Sequence, residues 1–281
     1  MSRVDLRQST EYGKFMKSMG WQVEEGMFIK KLGLLPCSFI KYQRPSWPID
    51  FKKIEKIARK HRAISVKIEP NELRDKKIEK VFEKYGYKKD RSPMLPTKTV
   101  WLDLKKSEKQ LLKEMHYKTR YNIRKARELR IETMRGDKVN EKQLKEFYEV
   151  YKRSAKRQRF WGLGFKQLKS LLKCFGKKGY LLIAKDKQLL GGLMMLIHDR
   201  VAYYSHNAAT DQGRKRFGPT ALVWQAIKLA KKLNCEQFDF EGITDERLPV
   251  TKKWQGFSRF KKSFGGNVIE YMGGFSKWRL K

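Results

Sequence analysis

Two pairs of polar side chains in the second half of the sequence have the spacing of neighbours on one strand face. Asp239 and Glu241 lie at the end of the predicted strand 236–240, and Tyr204 and His206 lie in the predicted strand 201–207. Because side chains alternate across a strand, each pair is expected to face one pocket. The carboxylates could orient an amine or accept its proton, and the other pair could hydrogen-bond a substrate. The structural alternatives are carboxylate pairing with nearby cations and partial burial of the histidine.

Cationic side chains that could bind phosphate occur on two predicted helices. Arg157 ends the predicted helix 141–157, and Arg120 lies in a densely basic helical segment, 117–130. A guanidinium group suits phosphate because its planar fork donates two parallel hydrogen bonds. A solvated helix face is the alternative interpretation of both arginines. The neighbours of Arg120 that share its basic character are Lys118, Arg124, Lys125 and Arg127.

A third basic segment precedes the predicted helix 219–233. Gly213 and Gly218 flank Arg214 and Arg216 there, and a glycine-rich loop at a helix start can hold a pyrophosphate group. The segment has few glycines for that role, and Pro219 has no N–H to donate. It is therefore a weak candidate for a coenzyme A site.

The overall charge predicts a polyanionic partner. The 281 residues include 66 Lys and Arg against 30 Asp and Glu, a formal net charge of +36. Such a chain attracts RNA, DNA, an anionic membrane surface or a phosphorylated small molecule. General solubilisation by lysine is the alternative interpretation. The 40% of hydrophobic and 12% of aromatic residues provide enough apolar surface for a core and exclude a mostly disordered chain.

Cysteine and histidine usage argues against a disulfide framework and a zinc site. Three cysteines are far apart without a CxxC motif, and the four histidines lack metal-ligand spacing. No metal site is therefore expected. The N-terminus has no apolar signal segment, and no stretch approaches the ~18 apolar residues of a membrane span. We expect a cytoplasmic protein, with at most peripheral contact at the inner face of the membrane.

The elements that position these residues divide into two segments. Residues 11–91 predict alternating helices and strands, typical of a partly parallel sheet with helices on its faces. Two prolines within residues 92–96 predict a linker. The second segment predicts a strand at 99–104, a capping box at Ser107 and Gln110, an antiparallel meander at 180–207, and a last strand at 268–272. We therefore predict domains at 1–96 and 97–281.

Seven blocks of residues follow one another in a characteristic order: 8–12 with 20–21, 68–70, 95–104, 118–126, 202–204, 238–243 and 256–266. In these blocks and in their order the chain resembles the Fem-type peptidoglycan-bridge aminoacyltransferases. The likeness spans nearly the whole chain, and the order of the blocks is more specific than any one of them.

This resemblance implies an α/β (α+β) fold of two tandem acetyltransferase-like (GNAT) domains. Each has a mixed sheet flanked by helices, and the first is shortened. It implies transfer of an amino acid from aminoacyl-tRNA to an amine on the stem peptide of a peptidoglycan precursor, either a UDP-linked or a lipid-linked muramyl peptide. The ester is already activated, so no cofactor is expected beyond aminoacyl-tRNA as co-substrate.

The resemblance also assigns roles to residues that composition alone does not distinguish. Lys261 matches the family's Phe-Lys lysine and is the expected catalytic residue, stabilising an oxyanion from an extended segment with Phe260 packed beside it. Arg157 matches a position associated with acceptor phosphates, whereas Val23 replaces a phosphate-contacting lysine of some relatives. The expected substrate-binding set is Phe260, Arg157, Tyr204, His206, Arg120, Asp239 and Glu241.

Two other functions remain open at this stage. The same fold could carry an acyl-CoA-dependent N-acyltransferase, which the weak pyrophosphate loop disfavours. A non-catalytic RNA or anionic-surface binder would also explain the charge, and it predicts no role for Lys261. The sequence sets neither the amino acid transferred nor the oligomeric state.

Overall fold

The computed structural model describes residues 3–33, 35–158 and 160–279. The helices are α1 (Thr10–Ser18), α2 (Phe51–Lys60), α3 (Lys76–Lys84), α4 (Glu108–Glu114), α5 (Tyr117–Lys125), α6 (Glu141–Gln158), α7 (Phe165–Phe175), α8 (Asp211–Lys215), α9 (Gly218–Lys232) and α10 (Gln255–Lys262). The strands are β1 (Gln22–Glu24), β2 (Met27–Lys31), β3 (Ser38–Gln43), β4 (Ala63–Glu69), β5 (Lys88–Asp90), β6 (Lys98–Asp103), β7 (Arg130–Arg135), β8 (Gly179–Lys185), β9 (Leu189–His198), β10 (Val201–Ala209), β11 (Gln237–Asp239), β12 (Asn267–Glu270) and β13 (Gly274–Trp278). Short 3₁₀ turns occur at Leu6–Gln8, Ala126–Glu128, Gly136–Lys138, Gly176–Lys178 and Pro249–Trp254.

The chain forms two compact units that are not two consecutive halves. The first contains Met1–Thr99, Gly242–Gln255 and Val268–Lys281, and the second contains Val100–Glu241 and Gly256–Asn267. The predicted division at residues 96 and 97 lies close to the first crossing. The prediction assigned Gly242–Gln255 and Val268–Lys281 to the second domain, whereas both segments belong to the first unit.

The first unit is built on a mixed sheet of order β1-β2-β3-β4-β13-β5. Strands β3 and β4 are parallel and the other recorded pairs are antiparallel, as the alternating helices and strands predict. Helix α2 begins at the N-cap Asp50 and buries Phe51, Ile54 and Ile57. That spacing is one apolar face of a helix. These side chains join a core that includes Val66, Phe82 and Phe275.

The end of the chain forms two short strands where the sequence predicts one. Strand β12 is an edge strand of the seven-stranded sheet, and β13 pairs with β4 in the six-stranded sheet. Gly273 separates them with a φ of 91°, a backbone conformation that glycine adopts readily and other residues do not. The predicted strand 268–272 is therefore too long at its C-terminal end.

The seven-stranded sheet has the order β12-β6-β11-β10-β9-β8-β7. Its central strands β8, β9 and β10 are consecutive and antiparallel, which confirms the predicted meander. Helices α6 and α9 both pack on these strands. Gly192 of β9 allows α6 to approach closely, because a Cβ atom there would clash with Phe147. The predicted capping box of α4 is present at Ser107 and Gln110.

A buried carboxylate fixes the segment Gly242–Gln255 within the first unit. Asp245 is 1% exposed and accepts hydrogen bonds from Thr97 Oγ1 (2.5 Å) and Arg247 Nε (2.8 Å). Burial opposes its ionisation, but the hydrogen bonds from Arg247 and Thr97 outweigh that effect and lower the pKa of Asp245 to about 2. The ionised carboxylate therefore stabilises the folded unit.

We expect Asp245→Asn to destabilise the first unit by about 2 kcal/mol at pH 7, because the ionised form is favoured in the folded state. A carboxyl with a lowered folded-state pKa contributes stability above its unfolded pKa and loses it as the pH falls. The difference between variant and wild type should therefore narrow from about pH 5 towards pH 2. Urea unfolding across this range measures it. Asp50→Asn is the control, since asparagine also caps a helix; an equal effect of both substitutions would contradict the assignment.

Candidate active site

Lys261 lies on the helix α10, so the predicted extended segment is wrong. The helix buries Ser258 and Lys261, three residues apart, and exposes Arg259 and Lys262. Residues 255–262 contain no proline and no β-branched residue, which permits this helix. Gly265 and Gly266, with φ values of 84° and 85°, follow its end. Lys261 and Lys262 therefore differ in burial because of helical geometry and not because of strand alternation.

The aromatic ring next to Lys261 on this helix is Phe257. The Lys261 Nζ atom is 5.1 Å from the ring centroid of Phe257 and 5.3 Å from that of Tyr204. Residues four apart on a helix lie on one face, which explains the contact with Phe257. Phe260 instead packs edge-on against Phe264, with ring centroids 5.3 Å apart. The expected packing of Phe260 against Lys261 is therefore not what the structure has.

Two carboxylates face the same site from the end of β11. Asp239 is 5% exposed; its Oδ2 accepts a hydrogen bond from Trp101 Nε1 (2.9 Å), and its Oδ1 accepts one from the Glu241 backbone N–H (2.7 Å). Glu241 has a φ of 58°, so the chain turns sharply at this point. The structure thus brings Asp239, Glu241 and Tyr204 together around Lys261.

Burial and these carboxylates act in opposite directions on the ammonium group. Lys261 is 7% exposed, and desolvation lowers its pKa to about 8, while the negative charges of Glu241 and Asp239 raise it. The faces of the two aromatic rings also favour a cation. Lys261 therefore stays mainly protonated at neutral pH but gives up its proton more readily than an exposed lysine. Burial also raises the pKa of the Tyr204 hydroxyl, so that side chain remains neutral.

Tyr204 and His206 do not share the pocket that strand alternation predicts. A register shift lies between them, and Tyr204 pairs with Met195 while His206 pairs with Met194. Because cross-strand partners share a face and consecutive residues do not, the two side chains lie on opposite faces of the sheet. The His206 ring lies 5.8 Å from that of Tyr151 on α6. Its nitrogen Nδ1 lies 2.8 Å from Ser205 Oγ.

The two predicted phosphate-binding arginines have other contacts in this structure. Arg157, near the end of α6, forms a partly exposed ion pair with Asp211 at 3.5 Å. Arg120 donates hydrogen bonds to the carbonyl oxygens of Lys113 and Met115 at the end of α4, where carbonyl groups lack partners within the helix. Arg120 thus joins α4 to α5, and Arg157 lies beside α8. Their predicted roles in substrate binding stay predictions.

The predicted glycine loop before residue 219 is not a loop in the structure, because Gly213 lies within α8 and Gly218 begins α9; both glycines have packing roles. A Cβ atom on Gly213 would collide with the carbonyl oxygen of Leu190. One on Gly218 would lie 3.0 Å from the carbonyl oxygen of Gly213. These close approaches account for both glycines without a bound pyrophosphate group.

The first unit contains a half-buried lysine and a basic cavity that the sequence did not single out. Burial lowers the pKa of Lys41 on β3 to about 8, and its Nζ atom lies 4.3 Å from the ring centroid of Trp21. A cavity of about 280 Å³ in the same unit includes Val23 and three cations, Arg7, Lys14 and Lys17. Alternation along β3 gives no signal for Lys41. The sequence prediction also missed Phe257 and Trp101 in the second unit. Phe257 contacts Lys261 because α10 is a helix, and Trp101 reaches Asp239 because β6 pairs with β11.

Among the helices of residues 3–33, 35–158 and 160–279, none has the length and apolar character that crossing a bilayer requires. In those same ranges, no three His, Cys, Asp or Glu side chains are grouped as a metal ion would need.

The described fold is similar to several solved structures. The crystal structure of FemX is 16% identical, with 99% of this chain and 93% of that chain covered and a TM-score of 0.82. The C-terminal domain of a candidate lysylphosphatidylglycerol synthetase from Agrobacterium fabrum is 11% identical, with 97% and 88% covered and a TM-score of 0.63. A tandem GNAT protein from the clavulanic acid biosynthesis pathway is 10% identical, with 91% and 81% covered and a TM-score of 0.56. At such identities the likeness shows the fold, two tandem acetyltransferase-like domains, which confirms the predicted class.

The model of the FemAB family matches residues 82–187 and 184–279. The chain therefore belongs to the FemAB family, as its sequence blocks predict. At the level of the family this supports a transferase of the peptidoglycan-bridge aminoacyltransferase class. No curated protein matches the chain.

We expect Lys261 to titrate near its pKa of about 8, well below the ordinary value of 10.5. Glu241→Gln should lower that pKa further, because the carboxylate favours the ammonium form. NMR titration of protein carrying ¹³C at lysine Cε measures both, and the signal that disappears in Lys261→Met identifies the residue. A Lys261 midpoint near that of the exposed lysines would contradict the buried site.

Proposed function

We propose that this protein transfers an aminoacyl group from aminoacyl-tRNA to an amine on the stem peptide of a muramyl precursor. The observation that supports it is a buried ammonium group between two aromatic rings, with two carboxylates at the same site, in a chain of the FemAB family. The acceptor is a UDP-linked or a lipid-linked muramyl peptide. The reaction takes place on the cytoplasmic side, where peripheral contact with the anionic inner face of the membrane suits the net charge of +36.

The proposed reaction requires stabilisation of a developing negative charge more than activation of the aminoacyl ester. The aminoacyl ester is already reactive, so attack by the amine forms a tetrahedral intermediate whose oxygen carries a negative charge. A fixed cation in a water-poor site stabilises that oxygen strongly, because the local dielectric is low. Lys261 supplies this cation, and we propose no metal or redox cofactor.

Two protons move in this reaction, and the site offers a group for each. The attacking amine loses a proton when the C–N bond forms, and the ribose oxygen gains one when the C–O bond breaks. Glu241 is more exposed than Asp239 and is therefore the better proton acceptor. Lys261, with its lowered pKa, can donate to the ribose oxygen and regain a proton through the carboxylate.

An acyl-CoA-dependent transfer on the same fold is the alternative. A structurally similar tandem GNAT protein comes from the clavulanic acid biosynthesis pathway. The packing roles of Gly213 and Gly218 argue against a pyrophosphate loop at α9 in this chain.

Lys261→Met should lower kcat by about 10²- to 10³-fold, the usual effect of removing one oxyanion-stabilising group. Methionine fits a buried position and removes only the charge, so the variant should remain folded. Transfer is measured with radiolabelled aminoacyl-tRNA and each of the two muramyl peptides. Lys262→Met is the matched control, since the neighbouring lysine is exposed. Wild-type transfer by the Lys261→Met protein would sink the catalytic assignment.

The donor can be tested separately on the wild-type protein. We expect transfer from aminoacyl-tRNA and none from an acyl-CoA at the same concentration. Product is identified by the mass that the muramyl peptide gains. Transfer from acyl-CoA alone would replace the proposed function with the alternative. Transfer from neither donor, together with intact RNA binding, would favour a non-catalytic RNA binder.

A further inference from the structure

Helix α5 presents a face of tyrosines and cations to solvent. This α5 face consists of Tyr117, Lys118, Tyr121, Arg124 and Lys125, all of which are exposed. The one aliphatic residue of the helix, Ile123, is buried, as is Thr119. The face is thus made only of side chains that combine a ring or an alkyl stem with a polar or charged end.

The two tyrosines are unusually accessible for their size. Tyr117 is 61% exposed and Tyr121 is 46% exposed, and their spacing of four residues puts both rings on one side of the helix. The Nζ atom of Lys118 lies 5.9 Å from the Tyr117 ring centroid, and that of Lys125 lies 5.7 Å from the Tyr121 centroid. A row of exposed rings bordered by cations is the arrangement on which unpaired bases stack while their phosphates are neutralised.

The charge of the α5 face is not neutralised locally. Residues 115–127 contain no Asp or Glu. Within the described part of the chain, Lys118, Arg124 and Lys125 have no carboxylate within ion-pair distance. The face also continues beyond α5, because the Tyr121 ring lies 6.5 Å from that of Phe217, which follows the basic residues 214–216. Such an uncompensated positive surface attracts a polyanion.

Hydrogen bonds join the start of α5 directly to the end of the Lys261 helix. The His116 backbone N–H donates to the Ser263 carbonyl oxygen at 2.9 Å. Thr119 Oγ1 lies 2.8 Å from Ser263 Oγ, to which it donates. Ser263 is two residues after Lys261, so these hydrogen bonds hold α5 against the end of the helix that carries the candidate catalytic residue.

We propose that the α5 face binds the single-stranded acceptor end of the donor tRNA, an inference that rests on the proposed function for the identity of the RNA. An unpaired 3′ end has the exposed bases that the tyrosines can stack and the phosphates that the cations can neutralise. An anionic membrane fits less well. Helices that bind membranes insert apolar side chains, whereas those of α5 are buried.

RNA binding to the α5 face can be measured by fluorescence anisotropy with three labelled RNAs. They are an uncharged tRNA, a blunt RNA hairpin and an RNA hairpin with a four-nucleotide 3′ overhang. Tyr117→Leu/Tyr121→Leu should weaken binding of tRNA and of the overhang hairpin by about ten-fold, and affect the blunt hairpin little. Lys118→Gln/Arg124→Gln/Lys125→Gln should reduce the slope of log affinity against log salt by about 2. The charge-matched control is Lys52→Gln/Lys56→Gln/Arg59→Gln on the exposed face of α2.

Two results would overturn the α5 proposal. One is wild-type RNA affinity in both α5 variants. The other is a result in which the α5 variants lose binding to phosphatidylglycerol vesicles, measured by co-sedimentation, but keep wild-type RNA binding. The α5 face would then be a membrane contact. Failure of the proposed function is distinguishable, because uncharged tRNA binds without transfer. If the protein binds RNA through the α5 face but transfers no aminoacyl group, the result supports the α5 binding surface and contradicts the proposed function.

Discussion

The burial of the Lys261 ammonium group is the constraint on which the candidate active site depends. Removing a lysine charge from water is costly, and the folded chain must offset this cost or the group loses its proton. The faces of Tyr204 and Phe257 and the charges of Asp239 and Glu241 provide that compensation. The same four groups shape the site in which a developing negative charge would be stabilised.

These compensating groups come from separate parts of the second unit. Tyr204 is placed by the central strand β10, the carboxylates by the end of β11, and Phe257 by the helix that carries Lys261. Parallel pairing of β10 with β11 sets Tyr203 opposite Asp239, so the end of β11 lies beside the part of β10 that carries Tyr204. The sheet order of this unit, with β11 between β6 and β10, thus also supplies Trp101 as the hydrogen-bond donor to Asp239.

Hydrophobic periodicity was sufficient to predict most of the elements. The meander of β8 to β10 and helices such as α2 and α6 have long, regular apolar patterns, and their predicted bounds agree with the structure to within a few residues. The basic-aromatic segment around Lys261 has no such pattern, so its helix was not predicted, and Phe260 was chosen where Phe257 makes the contact. The extra residue at Ser205 was equally invisible, because a bulge depends on the partner strand. The return of β13 to the first sheet depends on pairing across some 200 residues of sequence, which local patterns do not encode.

The charge of the chain connects the site with the surface on α5. With a net charge of +36, the protein's own field favours the neutral form of a buried lysine, and Asp239 and Glu241 oppose it only in part. In the proposed complex, a polyanion on the α5 face would add negative potential to the second unit and so favour the ammonium form of Lys261. Binding of an RNA donor would then increase the very charge that the acyl transfer requires. The excess of lysine and arginine would thus serve the reaction twice, by attracting the donor and by making the protonation of Lys261 sensitive to its arrival.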